Sequence, residues 1–75
     1  MNNIYCLANP NLRPINVIHD GSGPHIQTSN RVCETYQTKD EAIERLNYLL
    51  SQDTSKKAAA KLTVRRLTEC GIVIN

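Results

Sequence analysis

Large aromatic side chains are nearly missing from this 75-residue chain, which has no Trp, no Phe and only Tyr5, Tyr36 and Tyr48. A core without them rests on aliphatic residues, each contributing roughly 1.5–3 kcal/mol when fully buried. Ordering the chain costs about 1.5 kcal/mol per residue, so burial at this length barely offsets it. The composition predicts one domain over residues 1–75, marginal alone and supported by self-association or a larger protein partner. No apolar run approaches the ~20 residues that span a bilayer, which excludes a membrane role for a helix. No basic region followed by an apolar run opens the sequence, so no signal peptide is expected. Cysteine is sparse and odd in number, at Cys6, Cys33 and Cys70, with no close pair. That pattern argues against a disulfide framework and for a reducing, cytoplasmic setting.

Charge of one sign is also scarce, the net value being +2. Its distribution says more. Residues 1–38 are neutral, with Arg13 and Arg31 against Asp20 and Glu34. Residues 39–53 carry an excess of acid through Asp40, Glu41, Glu44 and Asp53. Residues 54–75 hold Lys56, Lys57, Lys61, Arg65 and Arg66 against Glu69 alone. Oppositely charged halves favour packing side by side as much as they favour an external ligand.

Residues 38–51 carry the strongest pattern in the chain. Thr38 is an N-cap with Glu41 in capping-box position. Ala42, Ile43, Leu46, Leu49 and Leu50 then form an apolar stripe at helical period. Ahead of this helix, residues 4–8 read as a strand that Pro10 and Pro14 end. Residues 15–19 alternate as a second strand, and residues 20–24, Asp-Gly-Ser-Gly-Pro, form a tight turn. Residues 26–28 resume pairing weakly, and residues 31–37 read as a third strand.

A second helix is expected over residues 55–70, capped by Asp53, Thr54 or Ser55. Ala59, Ala60, Thr63, Val64, Leu67 and Cys70 would share its inner face. Its outer face would carry Lys57, Lys61 and Arg65, with Arg66 at the flank and Leu62 stranded among the charges. Gly71 would end it in the left-handed conformation. Ile72, Val73 and Ile74 then read as a final strand at the sheet edge, pairing within the chain or with another copy. The fold class is α+β: a small, mostly antiparallel sheet, β-β-β-α-α-β, with two helices packed on one face.

Catalytic constellations are weak. His19 and His25 lie across a glycine turn and no two cysteines are close, so the local ligand pair of a zinc site is missing and no metal or cofactor is expected. Cys6 and His19 would be cross-strand neighbours if the first two strands paired, yet a thiol inside an apolar strand is ordinarily an inert packing residue. Residues 20–23 lack the following helix and the Gly-Lys-Ser/Thr that cradle a phosphate.

Asn3-Ile4-Tyr5 and Val17-Ile18-His19, with Asn9-Pro10 between them, resemble the two-strand opening of the GIY-YIG nuclease superfamily. The branch whose first strand reads Tyr-x-Leu-x-Asn-Pro is matched by Tyr5, Leu7, Asn9 and Pro10. The resemblance covers a fifth of the chain. It implies a place for Tyr5 beside an attacking water, with Arg45 and Glu69 as loose counterparts of the family's helical arginine and metal-binding glutamate. Val17 and His19 stand where the family has tyrosine and glycine, which implies a degenerate relative without nuclease activity.

The residues therefore predict a protein-binding module that is not an enzyme, a small regulator or inhibitor docking on a larger protein. A short chain without a catalytic set fits the profile of phage or mobile-element accessory proteins. Its contact residues would be Lys57, Lys61, Leu62, Arg65 and Arg66, an apolar anchor ringed by positive charge, with Ile72, Val73 and Ile74 as strand-edge contacts. The alternative is nucleic-acid binding by the basic face of the second helix.

Overall fold

The computed structural model describes residues 4–28, 33–68, 71 and 73–74. Its elements are β1 (Ile4–Ala8), β2 (Ile15–Asp20), β3 (Gly23–Thr28), α1 (Lys39–Ser51), α2 (Lys56–Ala59), β4 (Thr63–Leu67) and β5 (Val73–Ile74). All three strand ladders are antiparallel, and with the two helices they make a small α+β fold, the class the sequence predicts. The strands form a three-stranded sheet in the order β1-β4-β5 and a separate β2-β3 hairpin.

The hairpin closes through Gly21 and Ser22, with Asp20 opposite Gly23. Asp20 Oδ1 accepts from the Ser22 N–H at 2.8 Å, the local bond that makes Asp a turn former. The β3 pairing runs over six residues, longer than the weak pairing expected for residues 26–28. Pro24, which lacks a donor, hides this strand in the sequence. It is tolerated because β3 is an edge strand.

Of residues 31–37, expected as a third strand, 31 and 32 lie outside the described residues, 33–35 have no ladder, and Tyr36 forms an isolated bridge to Tyr5. Residues 34–36 instead wedge between β2 and β1. Glu34 N–H donates to the Ile15 carbonyl at 3.3 Å, and Tyr5 and Tyr36 exchange both backbone bonds at 2.8 Å. Because this wedge occupies the free edge of β1, β1 and β2 form no ladder, and an isolated Ala8–Pro14 bridge lies just ahead of β2.

Helix α1 follows its sequence signals. Thr38 Oγ1 accepts from the Glu41 N–H at 3.1 Å, a cap worth about 1 kcal/mol. Ala42 and Leu49 are buried and Leu46 half-buried, while Ile43 and Leu50 stay 40% exposed. The inward stripe is thus narrower than the apolar pattern suggests. At its far end, the buried Ser55 Oγ donates to the Leu49 carbonyl at 2.6 Å, satisfying one of the carbonyls a helix terminus leaves open. Thr54 Oγ1 ties the same turn to β3 by donating to the Pro24 carbonyl at 2.7 Å.

The second helix is a correction. It stops at Ala59, after one turn, and residues 63–67 become β4. Two facts explain this. β2 is committed to β3, so β1 needs a ladder partner from elsewhere, and the β-branched Thr63 and Val64 suit a strand better than a helix. The turn after α2 carries Leu62 inward, its N–H bonded to the Ala59 carbonyl at 3.0 Å. Leu62 is 8% exposed and packs with Leu7, Ile15, Val17, Ala42, Leu49 and Ala59. It is a core residue, and the expected surface anchor does not exist. Gly71 does take the left-handed conformation, at φ 84°, but it turns the chain from β4 into β5, its N–H bonding the Thr68 carbonyl at 2.9 Å.

Candidate interaction surface

Without a helix over residues 55–70, the basic row divides. Lys57 lies in α2, Lys61 in the turn beyond it, and both are exposed. Arg65 and Arg66 are adjacent in β4 and so point to opposite faces of the sheet. Arg65 is half-buried opposite Cys6, its Nε donating to Thr63 Oγ1 at 3.1 Å. Arg66 is exposed, paired with Tyr5 on one side and Ile74 on the other. Val73 and Ile74 form the edge strand β5, as expected; Ile72 lies outside the described residues.

The register locates a second surface. Directly paired residues share a face, so Tyr5, Leu7, Val64, Arg66 and Ile74 all point to one side of the sheet. Leu7 joins the core with Ala42 and Leu49, and Tyr5, Val64 and Leu46 pack against it, so this is the side that α1 covers. Arg45 on α1 reaches toward Glu34 and His19, beside the outer edge of β1. At 100° per residue, Ile43 and Leu50 lie on the opposite flank of α1, the flank toward β4 and β5. There Ile43, Leu50 and Ile74 are 40%, 40% and 37% exposed, with Arg66 beside them. This corner is apolar, basic at its rim, and uncovered among the described residues because α2 is a single turn.

A polar network that no single segment of the sequence announces lies on the other flank. Arg45 donates to both carboxylate oxygens of Glu34, from Nε at 2.9 Å and from Nη2 at 2.8 Å, and Tyr36 Oη donates to Glu34 Oε2. Arg45 Nη2 also lies 3.4 Å from His19 Nε2, and the guanidinium sits 5.2 Å from the centre of the Tyr48 ring. Burial pushes the Glu34 carboxyl up, but the bonds from Arg45 and Tyr36 outweigh it and leave it below the usual value. Burial, then Glu34, pushes the Tyr36 phenol well up. A carboxylate so engaged is a clamp fastening residues 34–36 to α1. Only the two-residue spacing of Glu34 and Tyr36, which puts both on one side of an extended segment, hinted at it.

Asp20, Ser22 and His25 engage one another, and Cys6 is buried. Ser22 Oγ donates to Asp20 Oδ1 at 2.6 Å, and His25 Nε2 lies 2.8 Å from Ser22 Oγ and 3.1 Å from Asp20 Oδ1. A hydrolytic relay needs the imidazole between acid and hydroxyl, using both ring nitrogens. Here one nitrogen meets both partners, and the serine proton goes to the aspartate. The Ser22 hydroxyl and N–H, then His25, draw the Asp20 carboxyl down to about 2. Cys6 faces Arg65 across the ladder, so the cross-strand approach of Cys6 to His19 does not arise. Burial, with Cys33 nearby, raises the Cys6 thiol to about 11, which keeps it protonated. Among the described residues, no three His, Cys, Asp or Glu side chains converge to hold a metal, and no helix is long and apolar enough to cross a membrane. Of the residues the GIY-YIG resemblance singles out, Tyr5 is half-buried against the core, Arg45 is engaged by Glu34, and Glu69 lies outside the described residues.

No protein-family model, curated protein or solved structure matches the chain.

Proposed function

We propose that this chain is a non-catalytic protein-binding module, a small regulator or inhibitor that docks on a larger protein through the open edge of β5. The observation carrying this reading is the sheet order β1-β4-β5, which leaves a strand of only Val73 and Ile74 at the margin. Such an edge presents backbone donors and acceptors to an incoming strand. Lys57, Lys61 and Arg65 add positive charge around the adjoining β4, which favours an acidic partner. The engaged state of Glu34, Ser22 and Cys6 supports a role other than catalysis.

The exposure of Lys57, Lys61 and Arg66 keeps nucleic acid as the second reading, that of a degenerate GIY-YIG relative. Capture from lysate with and without nuclease separates the two. The protein reading expects a partner that survives nuclease and is lost on Val73→Lys, which places a charge on the edge. Material that disappears with nuclease, and on Lys57→Glu with Lys61→Glu, would replace it with the nucleic-acid reading.

A further inference from the structure

We infer that the uncovered corner between α1 and β4–β5 is the seam of a two-fold homodimer of this chain. The inference goes beyond the docking edge, because it concerns the face of the sheet and names a second copy as its occupant. The corner is half of a layer. One long helix covers β1 and reaches Val64 of β4, and among the described residues no second long helix lies on the β5 side. A copy turned over about an axis along the strands would lay its own α1 in that gap. The first copy's α1 would then lie against the second copy's β4–β5 face, which is the reciprocal contact that two-fold symmetry demands.

The chemistry of the two surfaces matches under this operation. Ile43 and Leu50 on the flank of α1 would meet the same flank of the partner helix, with Ile74 closing the seam. The outer face of α1 carries Asp40 and Glu44, and the sheet face it would meet carries Arg66. Among the described residues, none of these three charges enters an ion pair within its own chain. The surface is therefore acidic on the outer face of the helix and basic on the sheet, complementary to a reversed copy of itself.

Sedimentation of the purified chain from about 1 to about 100 µM, at low and at high salt, tests this over the usual range of a modest interface. The expected result is a monomer–dimer equilibrium that weakens with salt. Ile74→Lys should weaken it at least about tenfold. Glu44→Lys and Arg66→Glu should each weaken it, and the two together should restore it, as partners across a seam do. All three positions are exposed, and a thermal melt of each variant confirms the fold. A monomer at every concentration overturns the proposal, as does a dimer indifferent to Ile74→Lys or unrestored by the charge exchange. A monomeric chain that still captures a nuclease-resistant partner overturns the dimer alone and leaves the docking edge standing.

Discussion

Replacing Leu62 by alanine separates two incompatible pictures of residues 55–70. On a basic helix, Leu62 would sit in water and its loss would change stability by no more than about 0.5 kcal/mol. In the structure it is buried beside Ala42 and Ala59, whose short side chains have little to contribute to filling the hole. Leucine-to-alanine changes in cores cost about 2–5 kcal/mol, more where the site cannot collapse, so about 3 kcal/mol is expected. A chain of this length is stable by roughly 4–11 kcal/mol, so the variant would lose a quarter or more of it. At about 4–8 °C per kcal/mol, the melting midpoint should fall by about 12–24 °C. Urea unfolding followed by far-UV circular dichroism reads the loss directly, with the exposed Lys61→Ala as the neutral control. A Leu62→Ala curve superimposed on that of Lys61→Ala would mean that Leu62 is solvated. The placement of β4 and the whole account of the sheet would fall with it.

Three further predictions rest on separate contacts. Gly23 has φ 124°, and a Cβ there would stand 2.9 Å from Thr54 Oγ1, which is itself held by the Pro24 carbonyl; Gly23→Ala should cost about 1–3 kcal/mol in chemical denaturation, whereas Gly21→Ala, which meets open space, should be near neutral. Because the Glu34 carboxyl is held low in the folded state, it contributes stability above its unfolded value of about 4.3 and loses it as pH falls further. Stability measured from pH 7 to pH 3 should therefore drop at the acid end less steeply in Glu34→Gln than in the parent, and parallel curves would remove the clamp from the account. Cys6, raised to about 11 and fully buried, should resist iodoacetamide in the native protein and react once urea unfolds it, as peptide mapping would show. Rapid native labelling would contradict its place in β1.

Local signals were legible in the sequence wherever a few neighbouring residues settle the outcome. The Thr38 cap, the strands of residues 4–8 and 15–19, and the Asp-Gly-Ser-Gly turn are of this kind. Residues 55–70 were not, because their apolar positions satisfy two periods at once. Leu62 and Val64 alternate as a strand requires, while Ala59, Val64 and Leu67 fit a helix. What decides between them is the unpaired edge of β1, almost a full chain length away, and no window of the sequence contains it. The contact surface suffered the same fate: Leu62 went inside, and Arg65 and Arg66 parted to opposite faces. Ile43 and Leu50 appeared in the sequence as part of the core stripe, and the shortness of α2, which places no second long helix beside α1 among the described residues, leaves them exposed. The Glu34 clamp draws on β2, the wedge and α1, so it becomes visible only after all of them are placed.

The pairing of β1 with β4 also imposes a schedule. Ile4 lies opposite Leu67 and Ala8 opposite Thr63, so a ribosome making about 5–20 residues per second releases β1 several seconds before its ladder partner exists. During that interval the hairpin and α1, built from near neighbours, can already form, while residues 34–36 dress one side of β1. Its other side waits with bare amides and carbonyls, which makes the nascent chain a substrate for any chaperone that recognises an unfinished strand.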